Sequence, residues 1–214
     1  MKNPWETIPL DDYESHMKLD LVRQLQTMNR LMADQFYRYP VRIAMVLGVA
    51  GGNGLEHVDP ERLKTVYGVD LNRDYLAACA ARYPHLAETL RLVEADLTAA
   101  EPDLPPAELV IANLLVEYIG YPCFQRVLQK VFPQYVSCVI QINTDEGFVS
   151  DSPYLHAFDG LDSVHHQMKE GALTEHLTAI GYMLNFREEC PLPNGKKLVR
   201  LYYARSQRNA PRII

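Results

Sequence analysis

Five short apolar runs recur along the chain, most of them separated by enough residues to hold a helix. The first, VRIAMVLGV (41–49), is apolar at nearly every position and rich in β-branched side chains. That is the pattern of a strand buried on both faces. KTVYGVD (64–70), LRLVEAD (90–96), AELVIANLL (107–115) and SCVIQIN (137–143) follow it. Helices are expected from about Asn53-Gly54, over 73–84 with Pro84 as the stop, and around 122–131, while a link containing Pro102, Pro105 and Pro106 precedes the fourth run. Read as β-α-β-α-β-α-β-α-β, the pattern predicts an α/β fold with a parallel sheet and helices on both faces.

The pattern breaks after residue 143. A long link (144–162) and a helix over about 163–180 precede YMLNFREE (182–189) and KKLVRLYYAR (196–205), with only CPLPNG (190–195) between them. Two extended runs with no room for a helix between them make an antiparallel hairpin. Ahead of the sheet, Leu21, Leu25, Met28, Met32 and Phe36 recur at steps of three and four, one face of a helix that should stop at Tyr39-Pro40. Residues 1–18 show no clean period. The expected organisation is an N-terminal helical lid or cap segment (1–40), one α/β domain (41–205) and a tail (206–214).

With 214 residues, 48% of them hydrophobic, the chain can bury one substantial core. Its net charge of −6 gives no general attraction to phosphate backbones, so nucleic acid is disfavoured as a partner. Arg205, Arg208 and Arg212 read as a solvated tail. Cys79, Cys123, Cys138 and Cys190 form no CxxC pair and read as reduced thiols. The beginning, MKNPWETIPLDDYE, is polar and acidic, unlike a signal peptide, and no apolar run reaches the length of a membrane span. A cytoplasmic protein with no membrane partner is expected. Of His57, His156, His165, His166 and His176, only the adjacent pair and His176 share an expected helix, and no acid completes a ligand set, so no metal is expected.

The first run ends in VLGVAGGNG (46–54). Glycines after a first strand allow a sharp turn and bring backbone amides close to a ligand, although a tight turn with no ligand needs them equally. The next strand ends in Asp70, and a carboxylate there can accept from both hydroxyls of a ribose. The third ends in Asp96, with the backbone of Leu97 beside it, where an acceptor can meet an adenine amino group. Ligands of open α/β sheets bind at those carboxyl ends, so the three positions agree on an adenosine-containing cofactor.

In VLGVAGGNG, VYGVDLN, VEADL and LVIANLLVEY, followed by the terminal hairpin, the chain resembles the class I S-adenosylmethionine-dependent methyltransferases over roughly residues 41–205. The resemblance implies a Rossmann-like three-layer sandwich whose seven-stranded, mostly parallel sheet runs 3-2-1-4-5-7-6. It implies S-adenosylmethionine as cofactor and S-adenosylhomocysteine as product. Gly48, Val49, Ala50, Gly51, Gly52, Asn53 and Gly54 would surround the methionine part, Gly52 and Gly54 foremost. Asp70 and Leu71 would hold the ribose, Asp96 and Leu97 the adenine, and Asn113 and Leu114 would lie beside the transferred methyl. Two positions depart from the family, which usually carries an acid where Gly48 stands and a glycine where Ala50 stands. The methionine amino group would then need another anchor.

Methyl transfer needs an acceptor held in line with the methyl carbon, and a base only where the acceptor is protonated. The N-terminal segment DDYESHM (11–17) lies where the family often places a lid. Tyr13 would touch the cofactor and His16 would serve as a base, while Glu117 would contact the acceptor. Trp5 and Tyr13 can equally be hydrophobic anchors, and Glu117 and Tyr118 ordinary residues opening a helix. The fourth strand lacks the polar-Pro-Pro-aromatic sequence of DNA amino methylases, so the acceptor is read as a small molecule. Two other readings stand beside this one: a nicotinamide-dependent oxidoreductase, and a non-catalytic cofactor-binding module of the same fold.

Overall fold

Ala44, Met45, Val46 and Leu47 are each no more than 4% exposed, so the first strand has apolar neighbours on both faces and belongs at the centre of a sheet. The computed structural model describes residues 3–143, 149–150 and 152–206. In it β1 (Ile43–Leu47) lies between β2 (Thr65–Asp70) and β4 (Leu109–Asn113), parallel to both. β3 (Leu90–Glu94) adds outside β2, and β5 (Tyr135–Ile142) outside β4, again parallel. β6 (Tyr182–Pro191) and β7 (Lys197–Arg205) form the hairpin, and β7 inserts antiparallel against β5. The order is β3-β2-β1-β4-β5-β7-β6, as the resemblance implies. Gly195, at φ +83, makes the hairpin turn in a conformation that L side chains rarely adopt.

Helices cover both faces. α2 (Gln24–Tyr37) and α3 (Arg73–Arg82) lie on one, where Met32, Phe36, Leu76 and Cys79 pack with Val46, Val66 and Ile111. α4 (Val116–Val131) and α5 (Glu170–Ala179) lie on the other, where Phe124, Leu128, Leu173 and Leu177 pack with Met45, Val110 and Tyr203. Complete burial of one such side chain contributes about 1.5–3 kcal/mol.

The strict alternation fails at two crossovers. No α-helix begins at Asn53-Gly54; the chain makes a single 3-10 turn at Leu55–His57 and goes straight on to β2. Only a few residues separate Gly54 from Pro60, too few for a helix, and α2 already covers that face from the N-terminal side. Between β3 and β4 the three prolines, which lack amide donors, leave an irregular link. The last helix is also shorter than expected. It starts at Glu170, and residues 155–163 form two 3-10 turns, so His165 and His166 stand outside it.

The N-terminal segment is more ordered than its lack of period implied. α1 (Leu10–Lys18) follows Pro9, with Asp11 and Asp12 in its first turn and His16 and Lys18 in its last, the charge placement that suits the helix dipole. α2 belongs to the packed layer, because its Met32 and Phe36 are core residues. The part of 1–40 that lies over the carboxyl ends of the strands is therefore the stretch through α1. Of the 206–214 tail only Ser206 is described, and Arg208 and Arg212 lie outside the described residues.

Candidate active site

The strand ends converge on one cavity of about 670 Å³, part of it open to solvent. Gly48 and Ala50 line it after β1, Asp70 and Leu71 at the end of β2, Asp96 and Leu97 after β3, and Asn113 and Leu114 at the end of β4. Trp5 and Tyr13 roof it from the N-terminal segment, and Tyr75 and Tyr118 close its sides. The aromatic rings pack edge to face, Trp5 lying 5.5 Å from Tyr13 and 4.9 Å from Tyr118. The segment is tied down by polar contacts as well. Asn72 Nδ2 donates to the Trp5 carbonyl at 2.9 Å, and Tyr75 Oη donates to the Ile8 carbonyl at 2.9 Å.

Asp70 is nine-tenths buried, and burial pushes its carboxyl upward while backbone hydrogen bonds pull it back. Its Oδ2 accepts from the Ala50 amide at 2.9 Å and its Oδ1 from the Asn72 amide at 2.9 Å. The carboxylate thus fixes the glycine loop and the start of α3 in one place and keeps lone pairs over for a ligand. Asp96 is exposed and closes its own turn through the Thr98 amide (2.8 Å) and hydroxyl (2.6 Å). Asn113 is differently placed. Its side-chain amide pairs in both directions with Gln35 of α2, each bond 2.9 Å, so its polar atoms are already engaged where it borders the cavity.

The glycine cluster divides into two parts. Gly48 (φ +66) and Ala50 (φ +47) border the cavity, and Ala50 holds the left-handed conformation in which the family's usual glycine would be unstrained. Gly52 and Gly54 do not line it. A Cβ at Gly52 would stand 2.7 Å from Tyr83 and 2.8 Å from Cys79 Sγ, and one at Gly54 would stand 2.6 Å from Met32 Sδ. Their missing side chains make room for α3 and α2. Val49 is a core residue, and Gly51 and Asn53 border a neighbouring hollow, where Asn53 Nδ2 donates to the Leu25 carbonyl.

A second cavity adjoins the first and shares Trp5, Tyr13, Leu114 and Tyr118 with it. Its further walls carry His16, Gln24, Glu117 and Gln141, with Val149, Phe158 and Leu161 from the long link. Link residues 144–148 and 151 lie outside the described residues. Glu117 is 4% exposed at the first turn of α4, and burial raises its carboxyl to about 7, with backbone amides drawing it partly back. Glu117 Oε2 and Trp5 Nε1 are buried without a hydrogen-bond partner. His16 Nδ1 lies 2.8 Å from Ser152 Oγ; burial, then the charge of Lys196, lowers its affinity for a proton. Burial raises the Tyr13 phenol, and Asp70, Glu14 and Glu117 add to it, so Tyr13 is a hydrogen-bond donor at neutral pH.

Solved structures of the same topology are numerous. The N-methyltransferase NodS from Bradyrhizobium japonicum WM9, in complex with S-adenosylhomocysteine, superposes with a TM-score of 0.67 at 10% identity, over 96% of this chain and 100% of that one. Magnesium protoporphyrin IX methyltransferase from Synechocystis PCC 6803, also with S-adenosylhomocysteine bound, gives 0.66 at 10% identity over 94% and 96%. The fold is that of the class I methyltransferases. The [4+2]-cyclase SpnF shares it as well, with a TM-score of 0.64 at 10% identity over 88% of this chain and 84% of that one. A methyltransferase fold can therefore carry other chemistry. No protein-family model matches the sequence, and no curated protein matches it.

Of the residues singled out in the sequence, the structure brings Gly48, Ala50, Asp70, Leu71, Asp96, Leu97, Asn113 and Leu114 to the first cavity, His16 and Glu117 to the second, and Tyr13 to both. The sequence reading missed further wall residues, among them Tyr75, Gln24 and Gln141. Gln141 stands near the carboxyl end of β5, so the strand-end rule applied to the first four strands could have found it. Gln24, whose amide donates to Gln141 Oε1, gave no such signal. Among the described residues, no group of three or more His, Cys, Asp or Glu is placed to hold a metal, and no helix is long and apolar enough to cross a membrane.

Proposed function

We propose that the chain is an S-adenosylmethionine-dependent methyltransferase whose cofactor occupies the first cavity and whose acceptor, a small molecule, occupies the second. The observation that carries this reading is the charge and geometry of the first cavity. Among the described residues its side chains include the carboxylates of Asp70 and Asp96 and no Lys or Arg. A donor-rich, cationic ligand suits such a site. A dinucleotide does not, because its pyrophosphate needs cations or the N-terminus of an α-helix. Only a 3-10 turn follows the glycine loop here. The nicotinamide-dependent alternative loses its main support at that point.

In this reading Asp70 accepts from the ribose hydroxyls, Asp96 and the Leu97 backbone meet the adenine, and Gly48 and Ala50 leave room for the methionine part. When bound, the cofactor would supply an electrophilic methyl carbon on a sulfonium, with a neutral thioether as the leaving group. The protein's contribution is to align two ligands across the wall shared by the cavities and to exclude water under Trp5 and Tyr13. His16 and Glu117 stand on the acceptor side.

Calorimetric titration with S-adenosylmethionine, S-adenosylhomocysteine and NAD tests the reading. Binding of the two sulfur ligands, weakened at least tenfold by Asp70→Ala, supports it. A response to NAD alone overturns it. Binding of the sulfur ligands without product from any acceptor would favour the non-catalytic module.

A further inference from the structure

Two residues that line the second cavity, Glu117 and Trp5, carry buried polar atoms with unmet needs. Glu117 Oε2 lacks a donor and Trp5 Nε1 lacks an acceptor. An unsatisfied buried group costs about 1–3 kcal/mol, and more when it is charged, so a buried carboxylate with one oxygen left unpartnered is informative. Its surroundings are aromatic: Trp5, Tyr13, Tyr118 and Phe158 line the same space. Aromatic faces around one carboxylate form an environment that attracts a cation and repels an anion.

We propose that the second cavity binds a small primary or secondary amine with an apolar or aromatic body, its nitrogen placed on Glu117, and that Glu117 takes the proton this nitrogen must lose before it can be methylated. The inference rests on the methyltransferase reading for its second half only. The proton passes from the ammonium nitrogen to Glu117 Oε2, and the N–H bonding pair stays on nitrogen as the lone pair that attacks carbon. The pair thereby goes from ammonium and carboxylate to amine and carboxylic acid, both neutral. A hydroxyl acceptor could hydrogen-bond to Glu117 and would leave its charge uncompensated. A carboxylate would be repelled.

The other groups around Glu117 are compatible with this assignment. Tyr13 and His16 face the cavity from α1, Tyr118 from α4 itself, and His165 from the segment ahead of α5, while the Cys138 thiol of β5 feels the charge of Glu117. Burial lowers both histidines, and Lys196 acts on those two rings, so neither imidazole supplies a competing cation at neutral pH. Burial holds the Tyr13 and Tyr118 phenols protonated. The carboxyl at about 7 is a base matched to a neutral operating pH.

The test uses three probes with one skeleton: 2-phenylethylamine, 2-phenylethanol and phenylacetate, carrying an ammonium, a hydroxyl and a carboxylate. Trp5 is the only tryptophan in the chain, so its fluorescence reports the cavity directly, with calorimetry as a second readout. At pH 8 the amine is expected to bind at least tenfold more tightly than either other probe, with or without S-adenosylhomocysteine. Glu117→Gln should erase that preference and leave 2-phenylethanol unchanged. In the unaltered protein the amine should weaken as pH falls from 8 to 6 and Glu117 takes up a proton, a measurement that depends on no variant. Equal or tighter binding of the alcohol or phenylacetate, an amine preference that survives Glu117→Gln, or no binding by any probe overturns the proposal. The S-adenosylhomocysteine titration reads the methyltransferase assignment separately. Amine preference without it sinks that assignment and leaves the amine site standing, and the converse result does the reverse.

Discussion

Gly52 and Gly54 look alike in the sequence and, in the structure, serve helix packing. Each has a positive φ, and each would place a Cβ within 2.8 Å of a neighbouring side chain. Gly52→Ala or Gly54→Ala is expected to cost roughly 2–4 kcal/mol, from overpacking and left-handed strain together. The affinity of the folded fraction for S-adenosylhomocysteine should change less than threefold. Denaturant melts beside calorimetry on the same samples check both halves, and a large loss of affinity at unchanged stability would return these glycines to the ligand. Glu117 gives a second prediction at this scale. Its carboxyl stands at about 7 in the folded chain against 4.5 ordinarily, so the folded state holds more protons between those values. Stability therefore falls as pH rises from about 4.5 to 7, and above 7 the full cost is present, roughly 3 kcal/mol. Glu117→Gln should gain on the unaltered protein across that window and hold its advantage at pH 8. His16 and His165, lowered by burial, destabilise the fold in the opposite direction, at acid pH. They are common to both proteins and cancel in the difference of the two melting curves.

At the scale of elements, what the sequence showed well was whatever depended on one strand and its immediate turn. β1, β2 and β4 were legible because central strands must be apolar on both faces, and the strand-end acids because the chain must turn there. The helix expected at Asn53-Gly54 failed for a reason that no local pattern contains: α2, from the other side of β1 in the sequence, had already taken its place on the sheet. α1 was hidden by the opposite problem: few of its residues are buried, and much of what holds it lies far away in the sequence. Glu14 of α1 forms a two-pronged ion pair with Arg82 of α3, through Nη1 to Oε1 and through Nη2 to Oε2 at 2.7 Å. Arg82 Nη1 also donates to the Gly51 carbonyl at 3.1 Å. One guanidinium thus holds the roof, the loop and α3 together. Arg82→Ala is expected to lower global stability by no more than about 1 kcal/mol, the usual worth of a partly exposed pair. The same change should speed amide exchange through residues 10–18 several-fold and leave β1, β4 and β5 protected, because local opening draws on few buried contacts. Hydrogen-exchange mass spectrometry resolves the two regions, and uniform loss of protection would show that α1 unfolds only with the whole chain.

Across the whole molecule, the roof and the sheet are coupled by anything that fills the space between them. The first cavity is walled by strand ends below and by Trp5 and Tyr13 above, and its described residues offer a ligand acceptors and aromatic rings without a Lys or Arg. A ligand that engages both sides should stabilise the chain as one unit. S-adenosylhomocysteine at one hundred times its dissociation constant should raise unfolding free energy by about 2.7 kcal/mol, which for a chain of this size moves the melting temperature by roughly 5–10 °C. The gain should appear as slower exchange in both the N-terminal segment and the 3-10 turns at 155–163, since both lie over the paired cavities. NAD at the same concentration should shift nothing, because a pyrophosphate would enter beside the carboxylates of Asp70 and Asp96, and the glycine loop leads into a 3-10 turn and not into an α-helix N-terminus that could receive it. Melting curves with each ligand, followed over a tenfold range of concentration, separate the outcomes. A shift that grows with the logarithm of S-adenosylhomocysteine alone is the signature of this site. An equal shift with NAD would mean that the charge of the cavity does not govern what it takes.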